Sequence, residues 1–271
     1  MKTEKKIFVG IPSYRDSELI PTLIDLFKKS ENKSRIVVGI CLQDDEKMMN
    51  PNLIYEQLIK DSILKDVEEC KKQIRVDFVD WIEAKGPCWA RHRFQKLYEE
   101  EEYYLAIDSH MRFCAQWDSK LIELLEKCEN PTKSIITAYP SGYELPNNIP
   151  TDSRISFLCF KEFGKDEMIR FTGKVLTELP NQNNQPISSF FWVSGFSFSK
   201  GEVIKQVPYD PHLPFLFFGE EISMTLRLWT HGYDFYCPPF NVVFHLWERN
   251  YRPNFREVHR ISQNGIFFLQ I

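Results

Sequence analysis

Asp108, Ser109 and His110 close an apolar run, Tyr103-Tyr104-Leu105-Ala106-Ile107. A run this short, rich in aromatic and branched residues, reads as a buried strand. A buried strand gains nothing from a carboxylate and an imidazole at its end unless something there needs them. Two residues apart in extended geometry, Asp108 and His110 point the same way, as a pair of ligands for a divalent metal. Oxygen with a single nitrogen suits Mn²⁺ or Mg²⁺, and the lack of sulfur argues against structural zinc. The competing reading makes Asp108 a turn cap and His110 a surface residue.

Other polar clusters have the same placement. Ser13, Tyr14, Arg15 and Asp16 follow Ile7-Phe8-Val9-Gly10-Ile11, and Gln43, Asp44 and Asp45 follow Ile36-Val37-Val38-Gly39-Ile40. Lys85 and Gly86 lie in a turn just before Arg91, and Phe217-Phe218-Gly219 leads into Glu220 and Glu221 ahead of a helical pattern over 222–231. His245 ends the run Val242-Val243-Phe244 and offers a third metal ligand. Together these types meet the needs of a nucleotide sugar. Arg15, Lys85 and Arg91 can face phosphate, the guanidinium as the stronger bidentate donor. Asp44 or Asp45 can accept a uracil imide N–H, and Glu220 or Glu221 supplies a carboxylate near the transferring sugar. Taken singly, His245 also reads as a packed histidine, Asp16 and Asp44 as turn residues, and Glu220 as a helix-start residue favoured by the dipole.

The elements that must position these groups alternate. Strands are expected over 7–11, 35–42, 74–79 and 103–107, with a helix over 19–29, helical sequence over 50–73, and a helix over 88–102 ending in the acidic run Glu99–Glu102. Such alternation implies an α/β fold, a mostly parallel sheet with helices on both faces. Ligands gather beyond the carboxyl ends of such strands, so the clusters at 13–16, 43–45, 86–91 and 108–110 should meet in one crevice. The second half is expected as a continuation of one domain over 1–271, a nucleotide-binding half over 1–118 and an acceptor-side half over 119–271, with long loops at 140–152 and 179–188.

The 271 residues are 43% hydrophobic and 27% charged, ordinary for a globular chain with a sizeable core. A net charge of -4 with dispersed Lys and Arg gives no electrostatic case for nucleic-acid binding. Seven cysteines without a C-x-x-C pair imply free thiols in a reducing, cytoplasmic setting. No stretch is long and apolar enough to span a membrane, and 7–11 is too short for a signal peptide.

Ile7 to Glu18 (I-F-V-G-I-P-S-Y-R-D-S-E), Gly39 to Gln43, Gly86-Pro87-Cys88-Trp89-Ala90-Arg91 and Ile107 to Phe113 (I-D-S-H-M-R-F) with Trp117-Asp118 resemble the family 60 glycosyltransferases. These are polypeptide N-acetylglucosaminyltransferases acting on hydroxyproline or Ser/Thr hydroxyls, including the cytoplasmic enzyme that modifies Skp1. The mucin-type polypeptide N-acetylgalactosaminyltransferases are similar more distantly, through D-S-H, Phe218 to Trp229 and Val243-Phe244-His245. The resemblance covers nearly the whole chain. It implies a GT-A fold, a UDP-sugar donor such as UDP-GlcNAc, Mn²⁺, a protein acceptor and retention of anomeric configuration. It implies Asp108, His110 and His245 as metal ligands, Arg91 as a donor-binding residue and Glu220 as the acceptor-side carboxylate. Ser13, Tyr14, Arg15, Gln43, Asp44, Lys85, Gly86 and Ser109 complete the donor-binding set. Glu221 stands where the mucin-type enzymes have Asn, which leaves both glutamates as candidates. Other expectations are a different UDP-sugar, a glycan or lipid acceptor, or a nucleotide-sugar-binding protein without catalysis.

Overall fold

A computed structural model describes residues 5–151, 155–176, 184–253 and 255. In chain order the elements are β1 (Ile7–Tyr14), α1 (Leu19–Lys29), β2 (Ile36–Asp44), α2 (Pro51–Lys60), α3 (Val67–Gln73), β3 (Ile74–Asp80), α4 (Pro87–Gln95), β4 (Tyr103–Ile107), β5 (Met111–Phe113) and α5 (Trp117–Glu126). Then follow β6 (Ser134–Thr137), β7 (Ser141–Gly142), β8 (Ile155–Phe163), β9 (Ile169–Leu176), β10 (Ile187–Ser189), β11 (Phe196–Lys200), α6 (Val203–Gln206), α7 (Glu220–Thr230), β12 (Asp234–Cys237) and β13 (Val243–His245).

The fold is α/β. Eight strands form the central sheet in the order β10-β12-β6-β11-β4-β1-β2-β3. β1 pairs in parallel with β2 and β4, β2 with β3, and β12 with β6; β11 and β10 run antiparallel to their neighbours. Alternation along β1 sends Ile7, Val9 and Ile11 to one face and Phe8 to the other, each into its own apolar cluster. Burial on both faces explains why these strands read as unbroken apolar runs. α1 covers the first face with Leu19, Leu23, Leu26 and Phe27, all buried. α4 covers the second, where the Phe94 ring packs so close to Gly10 that a Cβ there would lie 2.2 Å from it.

The chain runs outward from β1 through β2 to β3, then returns to place β4 on the other side of β1. Strand order reverses there, and the carboxyl ends of β1 and β4 open on the resulting crevice. Two smaller sheets flank it, β5-β13-β7 and the β8-β9 hairpin. No described helix is long and apolar enough to cross a membrane.

Several expected boundaries move. β1 extends through the expected polar turn to Tyr14 because it pairs with β2 up to Gln43. α4 ends at Gln95, not at 102: the chain tightens after it, and Glu100 takes a left-handed φ of 69°. The acidic run therefore lies beyond the helix, with Glu99, Glu100 and Glu102 exposed as a solvated run would be. Glu101 is buried and pairs with Arg75 at 2.8 Å. The expected loop at 140–152 carries β7 and a Glu144–Asn148 bridge. In the expected loop at 179–188, residues 179–183 lie outside the described residues, and β10 begins at Ile187.

Candidate active site

The backbone leaves β4 at Ile107 and bends at Ser109 and His110 before β5. Asp108 and His110 therefore do not share a strand face as extended geometry implied. They converge through the bend, and a third side chain comes to meet them. β13 runs antiparallel to β5 with His245 opposite Met111, and the Leu246 amide donates to the His110 carbonyl at 3.1 Å. His110 Nε2 and His245 Nε2 lie 3.1 Å apart, and His245 Nε2 is 3.2 Å from Asp108 Oδ2. One ligand atom from each of the three residues falls within 4.8 Å of the others.

The hydrogen bonds fix the chemistry of this cluster. A carboxylate only accepts, so the 2.8 Å contact between His110 Nδ1 and Asp16 Oδ2 places a proton on Nδ1. That contact orients the ring and turns Nε2 toward His245 and Asp108. His245 is pushed down to about 4, chiefly by burial, so its imidazole is neutral at pH 7. Its Nδ1 is buried and has no hydrogen-bond partner among the described residues. Burial acts to raise the Asp108 pKa, but the His245 contact and the Arg91 charge outweigh it and hold the carboxyl well below its usual range. Two imidazole nitrogens and an ionised carboxylate oxygen crowded around one point form a donor set that fits a divalent cation.

Arg91 sits behind Asp108. α4 carries it inward: Gly86 adopts a left-handed φ of 92° ahead of Pro87 at the first helical turn, and a side chain there would press on the Phe215 backbone. Arg91 is 2% exposed; its Nη2 donates to Asp108 Oδ1 at 2.6 Å, and its Nε lies 3.1 Å from Glu220 Oε1. Nη1 has no partner among the described residues. Gly195 passes so near that a Cβ would lie 2.9 Å from Asp108 Oδ2.

Two cavities adjoin across the Arg91–Asp108 pair. The first, about 140 Å³, is lined by Tyr14, Gln43, Gly86, Arg91, Ser109 and His110 together with Phe217, Arg249, Arg252 and Phe255. The second, about 250 Å³, lies beside His245 and is lined by Tyr139, Arg170, Glu221 and Trp247 among others. Gly219 caps α7 in a left-handed conformation, φ 105°, and sends the two glutamates different ways. Glu220 is 4% exposed and turned inward, accepting from Tyr209 at 2.9 Å and facing Arg91. Burial raises its pKa against the pull of Arg91. Glu221 borders the second cavity and accepts from the Tyr139 hydroxyl at 2.8 Å and the Ser194 amide at 3.4 Å. Burial pushes it up to about 7, with Glu220 adding to the effect.

Not every named residue comes to the cavities. Arg15 turns its guanidinium onto the Trp81 ring, 4.5 Å from the centroid. Lys85 is exposed, Ser13 is buried, and none of Ser13, Arg15, Asp44 or Lys85 lines either cavity. Asp44 is buried at the end of β2, its pKa raised by that burial. Conversely, the sequence placed Asp16 only within the 13–16 cluster and gave it no role, and it did not single out Tyr139, Arg249 or Arg252. The pair of arginines in Trp247-Glu248-Arg249-Asn250-Tyr251-Arg252, just beyond His245, was the one available signal.

Residues 6–64 and 60–265 match the family model Glycosyltransferase (GlcNAc). The chain belongs to this family. Its fold is GT-A. Among solved structures, GalNAc-T7 with UDP, GalNAc and Mn²⁺ is similar with a TM-score of 0.69 and 15% identity over 90% of this chain and 44% of that one. The S. aureus TarS fragment 1–349 in complex with UDP-GlcNAc is similar with a TM-score of 0.53 and 13% identity over 90% of this chain and 59% of that one. The chain thus spans under half of the first relative and about three fifths of the second. No protein of curated function is significantly similar in sequence.

Proposed function

We propose that the glycosyltransferase moves GlcNAc from UDP-GlcNAc, with retention and with Mn²⁺ (or Mg²⁺) held by Asp108, His110 and His245, to a hydroxyl of a protein: hydroxyproline, Ser or Thr. The observation that carries this is the meeting of those three side chains beside Arg91 at the point where the strand order reverses. Family membership, the family 60 motifs and the UDP-GlcNAc named for TarS support the donor. The first cavity suits the nucleoside: Gln43 and Tyr14 stand at the ends of β2 and β1, and Phe217 and Phe255 offer ring faces. The diphosphate would lie between the N-terminus of α4 and the cations Arg91, Arg249 and Arg252, where helix dipole and guanidinium charge act together. A cation bound there would offset charge on the departing diphosphate as a Lewis acid.

The second cavity then takes the sugar and the acceptor. Glu221, between Tyr139 and Ser194, is placed to accept a hydroxyl hydrogen bond. Glu220, tied to Arg91 and Tyr209, holds Arg91 in place from behind. The halves 1–118 and 119–271 would act as donor and acceptor sides of one domain. The seven unpaired cysteines agree with a cytoplasmic setting. The test is incubation with Mn²⁺, UDP-GlcNAc or UDP-GalNAc, and peptides containing hydroxyproline, Ser/Thr or neither. Addition of one N-acetylhexosamine from UDP-GlcNAc, only to hydroxyl-bearing peptides, supports the reading. Transfer from another UDP-sugar, or only to a glycan or lipid, replaces it.

A further inference from the structure

Asp16, just beyond the carboxyl end of β1, is no member of the metal cluster, yet it touches both of the chain segments that build it. Its carboxylate is buried. Oδ2 accepts from His110 Nδ1 at 2.8 Å and from Ser109 Oγ at 2.6 Å, with Arg252 Nε 3.3 Å away. Oδ1 accepts from the Tyr251 hydroxyl and from the Glu18 amide, each at 3.0 Å. One oxygen therefore sets the His110 ring and its tautomer. The whole carboxylate also anchors Tyr251 and Arg252, which lie six and seven positions beyond His245 in sequence. Arg252 also donates to the Tyr14 carbonyl at 3.1 Å and walls the first cavity with Tyr14 and Phe255. The Tyr251 ring stands against His110, centroids 6.5 Å apart.

We propose that Asp16 is a positioning residue that presents His110 Nε2 to the metal and, through Tyr251 and Arg252, couples metal binding to the donor-pocket wall. This rests on the metal reading given above. A carboxylate that only filled space could be replaced by its amide. Asparagine keeps the volume, but one of its two terminal atoms becomes a donor, so it cannot serve His110 and Ser109 on one side and Tyr251 on the other. His110 would lose its fixed tautomer, as metal-bound histidines do when their outer partner is removed.

The test is Mn²⁺ titration of the whole chain, following the paramagnetic resonance signal of free Mn²⁺, with far-ultraviolet dichroism to check folding. Asp16→Asn should bind Mn²⁺ roughly 10- to 100-fold more weakly than the wild type. In a His110→Ala background the same substitution should add little, because Asp16 acts through His110. Tyr251→Phe removes one hydroxyl; it should change Mn²⁺ affinity less than about twofold but weaken UDP binding in the presence of Mn²⁺ about fivefold. Should Asp16→Asn not fold, Ser109→Ala leaves the carboxylate in place, and Tyr251→Phe still tests the coupling. Wild-type Mn²⁺ affinity in folded Asp16→Asn overturns the inference alone, as does unchanged UDP affinity in Tyr251→Phe. Absence of Mn²⁺ binding to the wild type overturns the metal reading along with it.

Discussion

Glu221→Gln should make the protein more stable at alkaline pH while lowering its activity. The carboxyl is pushed from 4.5 up to about 7, first by burial and then by the charge of Glu220. Its folded pKa lies above its unfolded one, so the folded chain keeps a proton that the unfolded chain has released. Stability therefore falls as pH rises between about 4.5 and 7, and the full penalty is present above 7. At about 1.4 kcal/mol per pH unit over the span from 4.5 to about 7, the penalty is roughly 3.5 kcal/mol at most. Cavity water on one side reduces it to roughly 2 kcal/mol. Glutamine removes this cost but serves only one of the Tyr139 and Ser194 donors well, which gives back about 0.5–1 kcal/mol. The net expectation is a gain of about 1–1.5 kcal/mol at pH 8.5, shrinking towards zero or reversing at pH 5.5. Urea unfolding of wild type and Glu221→Gln at the two pH values measures it. A difference that does not change with pH would show that Glu221 is ordinarily solvated, and the reasoning from burial would fail. In turnover, Glu221→Gln should lower kcat with UDP affinity near normal, since the interaction is needed mainly in the transition state.

Asp108→Ala should abolish metal-dependent turnover, whereas His245→Ala should lower apparent Mn²⁺ affinity and recover partly with excess Mn²⁺; equal metal titrations of all three proteins would refute the cluster. Arg91→Ala leaves Glu220 and Asp108 without their buried cation, so it should lose about 3–5 kcal/mol in urea unfolding as well as UDP affinity. A fold as stable as the wild type would mean the pairs are solvated. Arg249→Ala removes a cavity-lining cation with no ion-pair partner among the described residues; it should raise the donor KM with stability within about 0.5 kcal/mol. An unchanged KM would remove Arg249 from the donor site.

Much of the architecture of the first half of the chain could be read directly. β2, β3 and β4 lie within two residues of their expected ends, and α1 matches Leu19–Lys29 at both ends, because strands buried on both faces and an amphipathic helix leave a periodic record. The end of α4 escaped, since the break after Gln95 depends on Glu101 reaching Arg75 rather than on any local breaker. Asp108 and His110 stood out because charge at the end of an apolar run is costly without a purpose. Asp16 did not: a turn aspartate looks ordinary until folding brings His110, Ser109, Tyr251 and Arg252 to it across about 90 and 235 positions. Arg15 is the opposite case, a cation at a strand end whose side chain packs on Trp81 and lines neither cavity. The order of the two glutamates was equally illegible, because Tyr209 and Tyr139, which draw them apart, lie in distant segments.

Release of UDP from a panel of UDP-sugars, with Mn²⁺, with EDTA and with Asp108→Ala, tests the central claim most directly. Release from UDP-GlcNAc that requires Mn²⁺ and is lost in Asp108→Ala is the expected result. Undiminished release in EDTA, or none from any UDP-sugar with a hydroxyl-bearing acceptor present, would contradict a metal-dependent UDP-sugar transferase built on Asp108, His110 and His245.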